Sequence, residues 1–318
     1  MEENSPFNLG VVHSRTLDIP YVMSLATTPD GKHLLCGNNG VPHSAVSMLA
    51  LSDWTCVHTW ELGSHGNVEA VAVTPDGRYA LAGCRRDGIL TAWDLATRKL
   101  AWQVEGHRGA VTGIAVTPDD GVVSAGKDET LAIWNPSTGE CLARSTKASA
   151  IAERLGLRLF GLSFQHDTVL ATPDGRFALT CGGTFQHGWI YIWGLPSLDY
   201  VGQLDGHSQG VEDLAITPDG RRVVSSGYDG TVRVWDFPSR GCVRTIGAHE
   251  SNTYAVCITR DGRFAISAGK SSDGIQVWDL SSGARVDCLY LSDNSPLLLM
   301  AEDRLLMASR HVCKLDWG

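Results

Sequence analysis

Residues Arg221–Phe237 read RRVVSSGYDGTVRVWDF. Val223 and Val224 lead into Ser225 and Ser226, and Tyr228-Asp229-Gly230 forms a tight turn. Val232 and Val234 then alternate with Thr231 and Arg233 up to Trp235-Asp236. β-branched residues alternating with polar ones on both sides of an Asp-Gly turn predict a hairpin. The chain nearly repeats it as GVVSAGKDETLAIWN (Gly121–Asn135) and FAISAGKSSDGIQVWDL (Phe264–Leu280).

A second recurring stretch precedes these hairpins. TPDG occurs at Thr28, Thr74, Thr172 and Thr217, with variants TPDD at Thr117 and TRDG at Thr259. Pro pre-sets φ, Asp bonds back to the backbone and Gly takes positive φ, so each copy joins two antiparallel strands. A strand ending in Trp follows each of the last five copies, at Trp93, Trp134, Trp193, Trp235 and Trp278, spaced by 41, 59, 42 and 43 residues. One unit upstream carries Leu49-Ala50 in place of Trp-Asp, and one downstream carries Leu315-Asp316, giving seven units of about 40 residues. Strands of 4 to 7 residues with regular turn signals predict an all-β chain.

Four-stranded units of this period, with Gly106-His107, Gly206-His207, Asp-Gly turns and Trp-Asp ends, resemble the WD-repeat β-propellers. The resemblance covers essentially the whole chain. It implies one seven-bladed propeller of four-stranded antiparallel blades. Its units run approximately 10–51, 55–95, 98–136, 139–195, 198–237, 241–280 and 284–317. It also implies a hydrogen-bonded chain of His, Ser, Asp and Trp inside a blade. The matching sets are His107, Ser124, Asp128, Trp134 and His207, Ser225, Asp229, Trp235, with a looser His249, Ser267, Asp273, Trp278. In the first two, Asp lies six and Ser ten residues before Trp. A buried carboxylate needs such partners, and the same set in several blades is a structural tie rather than a catalytic triad. The second unit departs, with Gly83 at the Ser place, and the fourth lacks the His and the turn Asp. The last unit is one strand short. Gly10–Leu17 is expected to supply that strand and close the ring, which removes exposed edges. An insertion at approximately 146–163 has both a helical stripe (Ile151, Leu155, Leu159) and a strand-like alternation, and both readings stay open.

Composition excludes several function classes. Hydrophobic residues make up 43% and charged residues 19% of 318, a globular balance. Net charge is −9, which disfavours nucleic acid and anionic membranes as partners. The acidic start MEENSPFNLG is not expected to be a signal peptide, and no run reaches the ~18 apolar residues of a membrane span. Nine Cys without a C-x-x-C pair read as buried thiols in a reducing cytoplasm. The phosphate-loop look of AISAGKSS fails because Phe264 stands where a Gly is required. GLSFQ lacks the second Gly of a nucleophile elbow, and His166 and His187 lack metal-ligating company. No cofactor, metal or catalytic residue is expected.

Surface is what remains. Propellers of the resembling family dock partners on the face of the Gly-His turns, at positions seven and five before the Thr of TPDG. Here those are Tyr21 and Met23, Asn67 and Glu69, Ala110 and Thr112, Gln165 and Asp167, Gly210 and Glu212, and Asn252 and Tyr254. Arg86, Lys127 and Tyr228, each just before a turn Asp, join the rim. Glu69, Asp167 and Glu212 are expected to meet as exposed carboxylates around the axis and to suit a basic peptide. The expectation is a non-catalytic scaffold, monomeric within a larger complex, that binds a protein or peptide. The alternatives are a propeller hydrolase or lyase using the central pocket, and an adaptor subunit such as that of a ubiquitin ligase. The W-D-x-R box of those adaptors is absent after Trp93, Trp235 and Trp278.

Overall fold

The computed structural model describes residues 10–15, 22–39, 44–63, 65–154, 168–247, 249, 252–269, 274–289, 297–301, 304–308 and 312–316. They form seven four-stranded antiparallel sheets and one short helix, Ala148–Arg154. Sheets one to six begin, at their innermost strands, with Val22–Thr27, Val68–Val73, Val111–Val116, Thr168–Ala171, Val211–Ile216 and Thr253–Ile258. Each of these six then runs outward in chain order. In the seventh, Leu297–Ala301 is followed by Arg304–Ala308 and Val312–Asp316, and the outer strand is Gly10–Arg15. Gly10 pairs with Asp316 and Arg15 with Val312, so the two ends of the chain share one sheet. Each innermost strand packs beside the next, and Leu297–Ala301 packs beside Val22–Thr27, which makes the series a ring. The units read from sequence are offset from the sheets by one strand. Cys56–Gly63, for example, opens the second unit but is the fourth strand of sheet one.

The turn chemistry explains the hairpins. The hydroxyl of Thr217 donates to Asp219 at 2.5 Å, and Asp219 accepts the Arg221 N–H at 3.0 Å. The same pattern recurs at Thr28, Thr172 and Thr259. Gly220 sits at φ 69°, and in the TPDD variant Asp120 takes φ 65° in the same role.

The core lies between neighbouring sheets rather than within any one. Leu179, Ile190 and Leu204 of sheet four meet Val211, Val223 and Trp235 of sheet five. Val224 and Val234 of sheet five meet Val256 and Trp278 of sheet six. A single sheet therefore cannot bury its own faces, which is the physical reason the units must stack.

The insertion begins as a helix. Ala148 and Ile151 are buried against the core between sheets three and four. Residues 155–167 lie outside the described residues. The thiols depart from the sequence expectation. Cys36, Cys84, Cys181 and Cys257 are buried, but Cys56, Cys141 and Cys242 are exposed. Each of these three lies at the start of an outer strand, in its first or second position, and points its Sγ at the carbonyl two residues on. These seven and Cys288 are free thiols.

Candidate partner-binding face

The face is fixed from below by the polar chains. His207 Nε2 lies 2.7 Å from Ser225 Oγ, which accepts the Trp235 indole N–H at 2.8 Å. On its other side His207 Nδ1 lies 3.0 Å from Asp229, which also accepts the Ser208 N–H and the Thr231 hydroxyl. His107, Ser124, Asp128 and Trp134 repeat the arrangement, with the Arg108 N–H and the Thr130 hydroxyl. Burial by itself would raise Asp128 and Asp229. The hydrogen bonds from His, hydroxyl and amide donors outweigh it and hold both carboxyls well below the usual carboxylate range. In sheet six His249 lies 2.9 Å from Ser267, which accepts the Trp278 N–H at 2.9 Å. Asp273 is outside the described residues.

Sheets two and four depart for visible reasons. His65 Nδ1 lies 2.5 Å from Asp87, but a Cβ on Gly83 would stand 2.5 Å from the Val111 side chain, leaving no room for Ser. In sheet four Trp193 donates to Thr180 at 2.9 Å. Sequence reading missed Thr180 because the longer hairpin moves it thirteen residues before the Trp.

Above these chains the inner strands are bulged. Pairing skips Met23, Glu69, Thr112, Glu212 and Tyr254, so each is the extra residue of a β-bulge at the start of its strand. A bulge re-aims one side chain out of the pleat. All five line a single cavity of about 410 Å³ at the centre of the ring. Asn67, Arg86, Lys127, Tyr228 and Asn252 do not line it. The backbone N–H of Lys127 bonds Ala110 and that of Tyr228 bonds Gly210, while Arg86 bonds His65 at 3.2 Å. These bonds sew the hairpin turns to the loops entering the inner strands. Ala110 and Gly210 are buried. Tyr21, Gln165 and Asp167 lie outside the described residues.

The acidic ring differs from the expectation of exposed, mutually repelling carboxylates. Glu69 is 18% exposed and pairs with Arg85 at 3.0 Å, a cation supplied by its own sheet. Glu212 is part-buried; burial raises its pKa, and a hydrogen bond with Tyr228 works the other way. Sequence reading also missed Asp213, the residue after the bulge. Its carboxylate accepts the N–H of Leu214 at 2.9 Å and of Val256, in the next sheet, at 3.0 Å. Burial pushes the Asp213 carboxyl up to about 7, against those two amide donors. Ser24 makes the same inter-sheet stitch, accepting the Val71 N–H at 2.9 Å. Phe185 was missed as well. It is 84% exposed on the sheet-four hairpin, its ring 6.2 Å from Tyr228. No motif marks it; only the lengthened hairpin TFQH lifts it clear of the sheet.

Among the described residues no group of three or more His, Cys, Asp or Glu is placed to hold a metal ion. Among them, too, no helix is long and apolar enough to cross a membrane.

Comparison with known proteins agrees with this geometry. The family model for the WD domain, G-beta repeat, matches residues 54–94, 98–135, 198–236 and 240–279. Periodic tryptophan protein 2 of Arabidopsis thaliana is 23% identical over 221 residues, 61% of this chain and 24% of that protein. WD repeat-containing protein srw1 of Schizosaccharomyces pombe is 28% identical over 156 residues, 48% of this chain and 25% of its own length. Protein FIZZY-RELATED 3 of Arabidopsis thaliana is 24% identical over 280 residues, 61% of this chain and 57% of its own. The matched segments span from about a quarter to just over half of these relatives. Each of the four matched repeats takes in the outer strand of one sheet and the first three strands of the next, and the chain belongs to the WD-repeat family.

Proposed function

We propose that this protein is a non-catalytic interaction scaffold that holds a basic protein segment on the face of the Gly-His turns. The observation that carries the reading is the set of five bulged inner strands. Each turns its bulged residue into one central cavity, and that cavity has carboxyl groups on its wall. Glu212 supplies a carboxyl acceptor for a guanidinium or ammonium, while Tyr254 and Met23 offer rigid and adaptable apolar contact. Tyr228 and the exposed Phe185 extend the contact area beyond the cavity mouth. The partner is a protein or peptide rather than nucleic acid or membrane, in line with the net charge of −9. The free thiols at Cys36, Cys84, Cys181 and Cys257 and at the exposed positions fit a reducing cytoplasm, and the scaffold is a monomeric subunit of a larger complex.

Asp213 does not argue for a propeller enzyme. Both of its oxygens are occupied by backbone amides, so its raised pKa accompanies a structural task. The Ser24 hydroxyl, a candidate nucleophile in the same cavity, is likewise engaged as an acceptor.

Affinity capture with mass spectrometry tests the reading, using wild type against a Glu212→Gln, Phe185→Ala double variant. Glutamine keeps the size of the part-buried side chain and removes its charge. The expected result is an unchanged melting curve and loss of Lys/Arg-rich partners. A folded double variant that keeps every captured protein overturns it.

A further inference from the structure

In an antiparallel sheet successive turns alternate ends, so the TPDG turns lie on the face opposite the Gly-His turns. On that opposite face a groove of about 560 Å³ opens between sheets four and five. Its apolar wall is Phe177 and Phe237, packed edge to face with ring centres 5.7 Å apart, together with Ile192 and Pro238. Three exposed arginines, Arg176, Arg221 and Arg240, stand along it.

The charges in the groove are unevenly satisfied. Asp174 and Asp219, the groove's carboxylates, each accept a Thr hydroxyl and a backbone N–H inside their own turns. Arg240 spends one donor on the Val201 carbonyl at 3.1 Å. Arg176 lies over the Phe177 ring at 5.6 Å, and neither it nor Arg221 makes an ion pair among the described residues. Each guanidinium carries five N–H donors in a planar fork suited to carboxylate. The groove thus offers many donors and few open acceptors beside an aromatic floor.

The equivalent groove between sheets one and two, of about 600 Å³, provides an internal control. Its turns have the same Thr-Pro-Asp frame, but His33 stands for Phe177 and Leu95 for Phe237. Lys32 and Arg78, the equivalents of Arg176 and Arg221, stand outside its lining, 4.0 Å from Asp30 and 3.9 Å from Asp94, and the cation among its lining residues is Arg98. The shared frame is therefore what the repeat requires, and the paired aromatics and two further lining arginines, Arg176 and Arg221, are what sheets four and five add.

We propose that this groove is a second docking site, which takes an Asp/Glu-rich protein segment with one aromatic or branched aliphatic side chain. That side chain packs on Phe177 and Phe237, and flanking carboxylates bind Arg176 and Arg221. The scaffold then offers an acidic site on one face and a basic site on the other, so two partners of opposite charge can bind without competing.

Fluorescence polarisation with the labelled peptide Glu-Asp-Phe-Glu-Asp tests it. Its neutral counterpart Gln-Asn-Phe-Gln-Asn and a Gly-for-Phe version serve as controls. Wild type is expected to bind the acidic peptide with Kd below about 1 mM, to weaken as salt rises, and to bind both controls at least ~10-fold less tightly. Arg176→Glu with Arg221→Glu is expected to lose at least ~10-fold. Phe237→Leu, which copies the sister groove, should lose part of the affinity, and Arg98→Glu in the sister groove should lose none. Absence of saturable binding, equal binding of the neutral peptide, or indifference to either the charge reversal or Phe237→Leu overturns the proposal.

Discussion

Sheet five ties its hairpin together with His207, Ser225, Asp229 and Trp235, whereas its neighbour, sheet four, has only Thr180 and Trp193 in equivalent places. Sheet four compensates with rings. Tyr191 packs at 6.2 Å from Trp189, 6.2 Å from Trp193 and 5.7 Å from Tyr200, and is 1% exposed. The same repeat can thus be held by directional bonds or by bulk. Directional bonds fix where the hairpin turn points. Bulk fixes the sheet and leaves the turn free to lengthen, which is how Phe185 reaches solvent.

The largest way to break this comparison is to remove the bulk. Tyr191→Ala should cost about 3–5 kcal/mol, as large-to-small changes in packed cores do. Tyr191→Phe should be neutral or stabilising, because its hydroxyl is buried with no partner among the described residues. Denaturant melts of the two variants check both signs. A larger loss in Tyr191→Phe than in Tyr191→Ala would mean that sheet four depends on a polar bond after all.

Next comes the directional half. His207→Ala leaves the Asp229 carboxylate, 5% exposed, short of its main donor. The expected cost is about 3 kcal/mol. His187→Ala, in the matching sheet-four hairpin, should cost under about 0.5 kcal/mol, since that ring lies tilted to Trp189 with ring centres 6.3 Å apart and has no hydrogen-bond chain like that of His207 among the described residues. Equal losses at His207 and His187 would erase the distinction between the sheets.

Sheet two offers a sharper variant of the same test. From sequence alone, Gly83→Ser looks like a repair that completes the chain begun by His65, Asp87 and Trp93. The structure gives the opposite sign, because Val111 of the next sheet occupies the space at 2.5 Å. Overpacking there should destabilise by about 2 kcal/mol. A rise in melting temperature would show that the neighbouring strand yields.

These cases also mark what a reader of the sequence can and cannot see. The seven units, the turns and the His-Ser-Asp-Trp sets are legible because their spacing is local and repeated. The obstacle at Gly83 is not, since it comes from Val111, a residue of another sheet. Thr180 escapes because three added hairpin residues break the spacing from which it would be inferred. At the central cavity, position counting finds Met23, Glu69, Thr112, Glu212 and Tyr254, but the bulges that turn them inward show only in the pairing register. The pairing of Glu69 with Arg85 and the stitching role of Asp213 depend on distances across the sheet, which no spacing rule records.

A last comparison is between two carboxylates of sheet five held in opposite directions. Asp229 is kept below its ordinary pKa, so its contribution to stability is present above about pH 4 and is lost as pH falls further. Asp213 is pushed up to about 7, so the folded chain holds its proton more tightly than the unfolded chain does. Stability from that proton is full below about pH 4 and declines as pH rises to about 7, then levels off. Wild type should therefore lose about 2–3 kcal/mol between about pH 5 and about pH 8 through this one group. Asp213→Asn cannot titrate there. It starts lower, because an amide offers one acceptor where two backbone N–H groups donate, yet its melting temperature should change less across that interval. Thermal melts of both proteins at the two pH values read the difference in slope, which a merely structural loss would not alter. Parallel slopes would mean that Asp213 is ionised throughout, and that the amides of Leu214 and Val256 outweigh the desolvation of the cavity wall.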